Sequence, residues 1–198
     1  MPKNTPGQRA SDLPDVDGST PHAIVLVGFM GSGKSSVGKA LAQRLGWRFR
    51  DLDEEIESRC RRKIGDIFRA EGEESFRAVE HEALREMLKE AASTPTVAAL
   101  GGGAYARQEN IELIRSSTVT AVFLDGPVDE LWQRCQTESK ERPLLKSQNQ
   151  FRQLYETRRS FYMTARLRIE TSAKQIDTIA AEIALQLGLN QDEQGDAQ

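Results

Sequence analysis

Cysteine is scarce in this chain of 198 residues: there are two, Cys60 and Cys135, and they form no metal-binding spacing. A cysteine-built metal site is therefore excluded, and each thiol reads as a small buried hydrophobe or an inert group. No apolar run approaches the length of a membrane span. The first residues are polar and carry Pro2, Pro6, Pro14 and Pro21, which excludes a secretory signal peptide. A strong basic bias is also missing, with 27 Lys+Arg against 30 Asp+Glu and a net charge of −3. Lys3, Arg9, Asp12, Asp15 and Asp17 leave residues 1–22 at −1, while Asp192, Glu193 and Asp196 put 189–198 at −3, so the body sits at +1. That balance argues against nucleic acid as a partner but permits a local positive cleft for a small anion. There is no internal repeat. The length fits one α/β domain with a full core, and a soluble, cytoplasmic protein is the simplest expectation.

What is present is organised around Gly28-Phe29-Met30-Gly31-Ser32-Gly33-Lys34-Ser35. The apolar run Ala23-Ile24-Val25-Leu26-Val27 precedes it, and Val37, Leu41 and Leu45 follow at the spacing of one helical face. The pattern G-x-x-x-x-G-K-[ST] between a strand and a helix is a phosphate-binding P-loop. Its glycines let successive N–H groups turn inward on phosphate oxygens, and the helix adds its positive dipole end. Lys34 brings a mobile charge to the outer phosphates, and the Ser35 hydroxyl is a Mg²⁺ ligand candidate.

Along the chain, residues 1–22 read as a disordered leader and 189–198 as a disordered acidic tail. His22 at the leader's end reads as solvated. Strands are predicted over 23–28, 47–52, 97–100, 119–124 and 167–171. Helices are predicted over 33–45, 54–62, 73–92, 110–116, 128–136, 151–165 and 176–187, with a short helical turn at Ile64, Ile67 and Phe68. The helix 73–92 shows a clear stripe of Phe76, Val79, Ala83, Leu84, Met87 and Leu88, with His81 off it and expected at the surface. Trp47 and Trp132 read as core or semi-core aromatics. Residues 137–150 are polar and broken by Pro143, and are expected to form a mobile flap. Alternating strands and helices imply a parallel, doubly wound sheet, with ligands beyond the carboxyl ends of the strands.

That rule brings the P-loop, Asp51-Leu52-Asp53 and Gly101-Gly102-Gly103 to one rim, because each follows a strand. Two carboxylates beside a polyphosphate repel it unless a cation lies between, so one is expected to serve Mg²⁺. The other is available to take a proton from an attacking hydroxyl. The plain alternative is an acidic N-cap, with Asp53 capping the helix that follows. Val97–Leu100 runs straight into glycines, where many P-loop proteins end a strand in a metal-linked Asp, which favours Asp51 for the metal. Three glycines also leave backbone N–H groups open to close approach. Arg142 sits before Pro143 inside the flap, suited to closing on a transferred phosphate. Arg77, Arg158 and Arg159 are forked donors of the kind that grip a carboxylate.

Taken together, these residues resemble shikimate kinase over about 22–188. The likeness rests on Gly31-Ser32-Gly33-Lys34-Ser35-Ser36 and on Asp51-Leu52-Asp53 followed by Glu54-Glu55-Ile56-Glu57. It continues in Ile67-Phe68, Gly72-Glu73-Glu74-Ser75-Phe76-Arg77, Leu100-Gly101-Gly102-Gly103-Ala104 and Arg142-Pro143-Leu144-Leu145. The resemblance implies a three-layer α/β/α fold like that of nucleoside-monophosphate kinases, with sheet order 2-3-1-4-5 and a lid at about 137–150. It implies ATP-dependent phosphorylation of the shikimate 3-hydroxyl in aromatic amino-acid synthesis, by a monomer with Mg²⁺ as cofactor.

Roles carry over by position. Gly31, Ser32, Gly33, Lys34, Ser35, Ser36 and Arg142 would bind ATP, and Ser35 and Asp51 would serve the metal. Asp53 would bind the substrate hydroxyls and accept the proton. Arg77 and Arg158 would clamp the carboxylate, and Gly101, Gly102 and Gly103 would close round the ring. Lys34 and Arg142 would neutralise the transferring group. Arg158 is preferred to Arg159 because Tyr162 then falls at the family's spacing. Lys174 is the nearest match to an adenine contact. Leu52 stands where the family often has Ser or Thr, and its side chain is expected to face away from the two aspartates. Two other readings compete. A related small-molecule kinase such as a gluconate kinase would share the P-loop but would not be expected to have Arg77 after Gly-Glu-Glu-Ser-Phe together with three glycines. A non-catalytic nucleotide-binding regulator or switch is disfavoured by the lack of an Asn-Lys-x-Asp motif and by intact Lys34, Asp53 and Arg142.

Overall fold

A computed structural model describes residues 21–137 and 147–189. Strand β1 (Ala23–Val27) is apolar at every position and buried at every position. Such a strand needs cover on both faces, and the sheet gives it the central place. Five parallel strands lie in the order β2-β3-β1-β4-β5, the order the resemblance implied, with β2 Arg48–Asp51, β3 Thr96–Ala99, β4 Thr120–Asp125 and β5 Leu167–Glu170.

Side chains alternate between the faces, as the pleat requires. Ile24, Leu26, Val97, Val122 and Leu124 pack under α1 (Lys34–Leu45) and α7 (Ile176–Gln186). Val25, Val27, Ala98, Ala121 and Phe123 pack on the opposite face. The helices there are α2 (Leu52–Cys60), α3 (Ile64–Ala91), α4 (Gln108–Arg115), α5 (Val128–Thr137) and α6 (Gln148–Tyr162). Ala99 is in register with Leu26 and with Asp51, and Phe123 with Val27. The segments leaving β1, β2, β3 and β4 therefore emerge at one rim.

Several boundaries differ from the sequence reading, each for a local reason. Helix α2 starts at Leu52, because the Asp51 side chain caps it by accepting from the Asp53 and Glu54 N–H groups. The cap is thus Asp51, and Asp53 lies in the helix's first turn. The short turn at Ile64 and the long helix beyond it run on as α3, broken at Gly72 (φ 82°, ψ 173°). Helix α6 begins at Gln148, inside the stretch expected as flap, because the Ser147 hydroxyl accepts the Gln150 N–H at 3.3 Å. Most of that flap, with Arg142 and Pro143, lies outside the described residues. His81 is not a free surface group: its Nδ1 lies 2.6 Å from Asn110 Oδ1. Leu189, counted with the tail, is buried beside α7. Among the described residues, no helix is long and apolar enough to cross a membrane.

Candidate active site

The P-loop joins β1 to α1. Gly28, Gly31 and Gly33 all take positive φ, and Gly33 stands at the N-cap of α1. At Gly31 the need for glycine is doubled, since a Cβ there would lie 2.6 Å from the Leu131 carbonyl oxygen. Phe29 is pinned below the loop by edge-on contacts with Phe151 and Tyr155, at 4.9 and 5.5 Å between centroids. The Lys34 ammonium folds back to donate to the Gly28 and Phe29 carbonyls at 3.0 and 2.9 Å. It therefore stands inside the loop's own concavity, within reach of whatever anion enters.

The Ser35 hydroxyl donates to Asp51 Oδ2 at 2.6 Å, and Asp51 Oδ1 is the α2 cap. One carboxylate thus holds the junction of β2 and α2 and places a second hard oxygen beside that of Ser35. Oxygen pairs of this kind suit Mg²⁺, which keeps several waters and draws few ligands from protein. Among the described residues, no group of three or more His, Cys, Asp or Glu forms a full cage. The Asp53 side chain takes the neighbouring direction: a Cβ on Gly101 would lie 2.5 Å from Asp53 Oδ1. Leu52, between the two aspartates, is fully buried in the core, facing away as expected.

Arg77 sits on α3 with its side chain 8% exposed. It donates to Glu80 Oε2 at 2.7 Å and to Glu73 Oε1 at 3.0 Å. The Phe68 and Phe76 rings flank the guanidinium at 5.8 and 5.3 Å. Burial pulls the Arg77 pKa down, but the Glu80 and Glu73 carboxylates outweigh it and hold the group above its ordinary value. Glu80 is raised: burial dominates, Arg77 opposes it, Asp53 adds to it, and Arg158 again opposes. Those four charges therefore share one environment.

The glycine loop closes this cluster. A Cβ on Gly103 would strike the Arg77 guanidinium, 2.6 Å from Nη1. On Gly101 it would meet Asp53 and, at 3.4 Å, Glu80. Gly102 faces the other way and presents its carbonyl to α6, where Arg158 donates to it at 3.1 Å and Tyr162 donates its hydroxyl. Arg159 points elsewhere, donating to Asp125 Oδ2 at 2.8 Å and to the Tyr155 hydroxyl. Behind the loop, Asn110 donates to the Ala104 carbonyl at 2.9 Å and meets His81 through its other atom.

Asp51, Asp53, Arg77, the three glycines and Arg158 thus meet beside Lys34 and Ser35. Ser36 is exposed one residue further along α1. Lys174 lies after β5 and donates to Glu182 on α7 at 2.6 Å. Glu80 was missed in the sequence, although a signal existed: it interrupts the apolar stripe between Phe76 and Ala83 on the inward face of α3, one turn from Arg77.

Comparison with known proteins shows the family. The family model described as shikimate kinase matches residues 30–188. A shikimate kinase of Persephonella marina is 43% identical over 161 residues, covering 81% of this chain and 95% of the relative. The solved shikimate kinase from Acinetobacter baumannii, in complex with shikimate, superposes with a TM-score of 0.78 at 35% identity, over 88% of this chain and 97% of that one. A gluconokinase from Sinorhizobium meliloti reaches a TM-score of only 0.56 at 23% identity, over 85% of this chain and 93% of that one, a likeness of fold alone. With five parallel strands in the same order, a P-loop after β1 and a match spanning most of its length, the chain belongs to the shikimate kinase family.

Proposed function

We propose that the protein transfers the γ-phosphoryl group of ATP to the 3-hydroxyl of shikimate, giving shikimate 3-phosphate and ADP, in the cytoplasm and as a monomer. The observation that carries this reading is the meeting of Asp53, Arg77, Arg158 and the glycine loop opposite the P-loop. Two forked cations beside a carboxylate form a site for a hydroxylated acid. In this proposal Arg77 and Arg158 bind the acceptor's carboxylate, and Gly101–Gly103 let its ring approach the backbone closely. Asp53 orients the acceptor hydroxyl and takes its proton as the new O–P bond forms. Lys34 leaves its loop carbonyls for the phosphates, and Arg142 adds positive charge there.

Ser35 and Asp51 fit a Mg²⁺ ion, and they would hold it together with ATP oxygens. When bound, the metal neutralises charge on the phosphates. An adenine role for Lys174 requires it to leave Glu182.

The direct test is ADP release in a coupled assay with ATP, Mg²⁺ and either shikimate or gluconate. Turnover with shikimate is expected, and its absence would overturn the proposal. Removing Mg²⁺ with a chelator is expected to stop turnover. A second prediction concerns Gly103. Gly103→Ala would push the Arg77 guanidinium off its seat. A misplacement of about 1 Å in a positioning group can cost about 10²-fold. We expect that loss in kcat/KM for shikimate, with the KM for ATP unchanged. Equal losses for both substrates would show that the loop serves the whole fold and not the acceptor.

A further inference from the structure

We propose that Tyr162 is a positioning residue for the acceptor site, its hydroxyl holding the Gly102 carbonyl in place while Arg158, the other donor to that carbonyl, turns to the acceptor. The proposal rests on the reading of Arg158 as a carboxylate clamp. Tyr162 is the last residue of α6 and is fully buried. Its ring stacks on Phe123 of β4 at 5.3 Å with an interplanar angle of 29°. The sheet therefore fixes where the hydroxyl stands. That hydroxyl donates to the Gly102 carbonyl, the same oxygen that Arg158 contacts at 3.1 Å from one helical turn earlier.

A carbonyl oxygen has two lone pairs, and here both donors come from one face of one helix. A merely structural tyrosine needs only some partner for its hydroxyl. This partner belongs to the Gly102–Gly103 peptide, in the loop where a Cβ on Gly101 would collide with Asp53 and one on Gly103 with Arg77. Because a trans peptide is planar, fixing its carbonyl also fixes the Gly103 N–H on the opposite side.

The arrangement has a consequence for binding. An incoming carboxylate competes with the Gly102 carbonyl for Arg158. If Arg158 were the carbonyl's only partner, its release would leave a polar atom unsatisfied, and binding would bear that cost. Tyr162 retains the carbonyl, so Arg158 can reorient without loosening the loop. Burial holds the hydroxyl well above the ordinary tyrosine pKa, and the nearby Arg158 and Arg77 charges only partly oppose it. It therefore stays protonated and able to donate.

The test is Tyr162→Phe, which keeps the ring on Phe123 and removes the donor. The expected result is a rise of about five- to tenfold in the KM for shikimate, the scale of one lost hydrogen bond. The KM for ATP should stay near that of the parent, and the melting temperature should fall by no more than about 2–4 °C, the scale of one hydrogen bond in a domain of this size. In an Arg158→Lys background the same substitution should add much less than it does alone, because the other donor to the same carbonyl has changed. An unchanged shikimate KM, or a loss of melting temperature with both KM values moving together, would overturn the proposal in favour of plain packing. Full additivity with Arg158→Lys would overturn the link to Arg158. Arg158→Lys alone leaving the shikimate KM untouched would instead overturn the clamp assignment, whatever Tyr162→Phe does.

Discussion

Asp53→Asn is expected to lower kcat by about 10²- to 10⁴-fold, the usual worth of a positioned general base, while ATP still binds with a Kd close to that of the parent. The substitution is nearly isosteric and isolates one property, since an amide offers hydrogen bonds but does not take the acceptor's proton. The cap of α2 survives the substitution for a specific reason. The cap of α2 is the Asp51 carboxylate, and what Asp53 gives to that cap is its backbone N–H, at 3.1 Å from Asp51 Oδ1. Replacing the side chain leaves that bond in place. The Ser35–Asp51 pair is equally untouched. Calorimetry with ATP-Mg²⁺ and a single-turnover assay with saturating shikimate separate the two steps. A variant that binds ATP but does not turn over is the expected outcome, and full activity would remove Asp53 from the chemistry.

The P-loop was legible in the sequence because its chemistry is contiguous: the glycines, Lys34 and Ser35 stand in one run between a strand and a helix, and neighbours in sequence stay neighbours in space. The sheet order came from the family resemblance rather than from the strands themselves, whose apolar pattern fixes burial but not sequence of pairing. The two aspartates were legible as residue types but not in their local geometry. Treating both as strand-end residues missed that Asp51 ends the strand by starting the helix. Arg158 and Arg159 differ by one residue, so on a helix they point roughly 100° apart. Identity alone cannot choose between them, whereas packing places one on Gly102 and the other on Asp125. Glu80 was hidden because an acid on a charged helix usually faces water. Arg77 stands one turn away on the same helix, but Asp53 and Arg158 reach Glu80 from elsewhere in the chain.

That buried pair supports the other prediction of large effect. The Glu80 and Arg77 side chains are 2% and 8% exposed. Removing one partner of such a pair strands the other's charge, which typically costs about 3–5 kcal/mol. Arg77→Met is therefore expected to lower stability by about that amount, and to raise the shikimate KM by about 10- to 100-fold through loss of charge-assisted hydrogen bonds. Adding Glu80→Gln to Arg77→Met should separate the two effects. A neutral amide is far cheaper to bury than a carboxylate, so at least about half of the lost stability should return. The shikimate KM should not recover, because methionine has no donors.

The pH dependence of the single variant follows from the direction of the Glu80 shift. Burial raises this carboxyl in the folded protein, so the fold binds its proton more tightly than the unfolded chain does. Stability on this account falls as pH rises from the ordinary carboxylate value through the raised one. Arg77 opposes the burial effect, so its loss extends that window upward. The melting-temperature deficit of Arg77→Met should accordingly shrink toward the acid end, where Glu80 is protonated, and widen as pH rises through the raised value. With Glu80→Gln added, the buried carboxyl whose shift drives this dependence is gone, and the deficit should be much flatter. A deficit in Arg77→Met that does not change with pH would show that the loss lies in the packing of Arg77 against Phe68 and Phe76 and not in the stranded charge of Glu80.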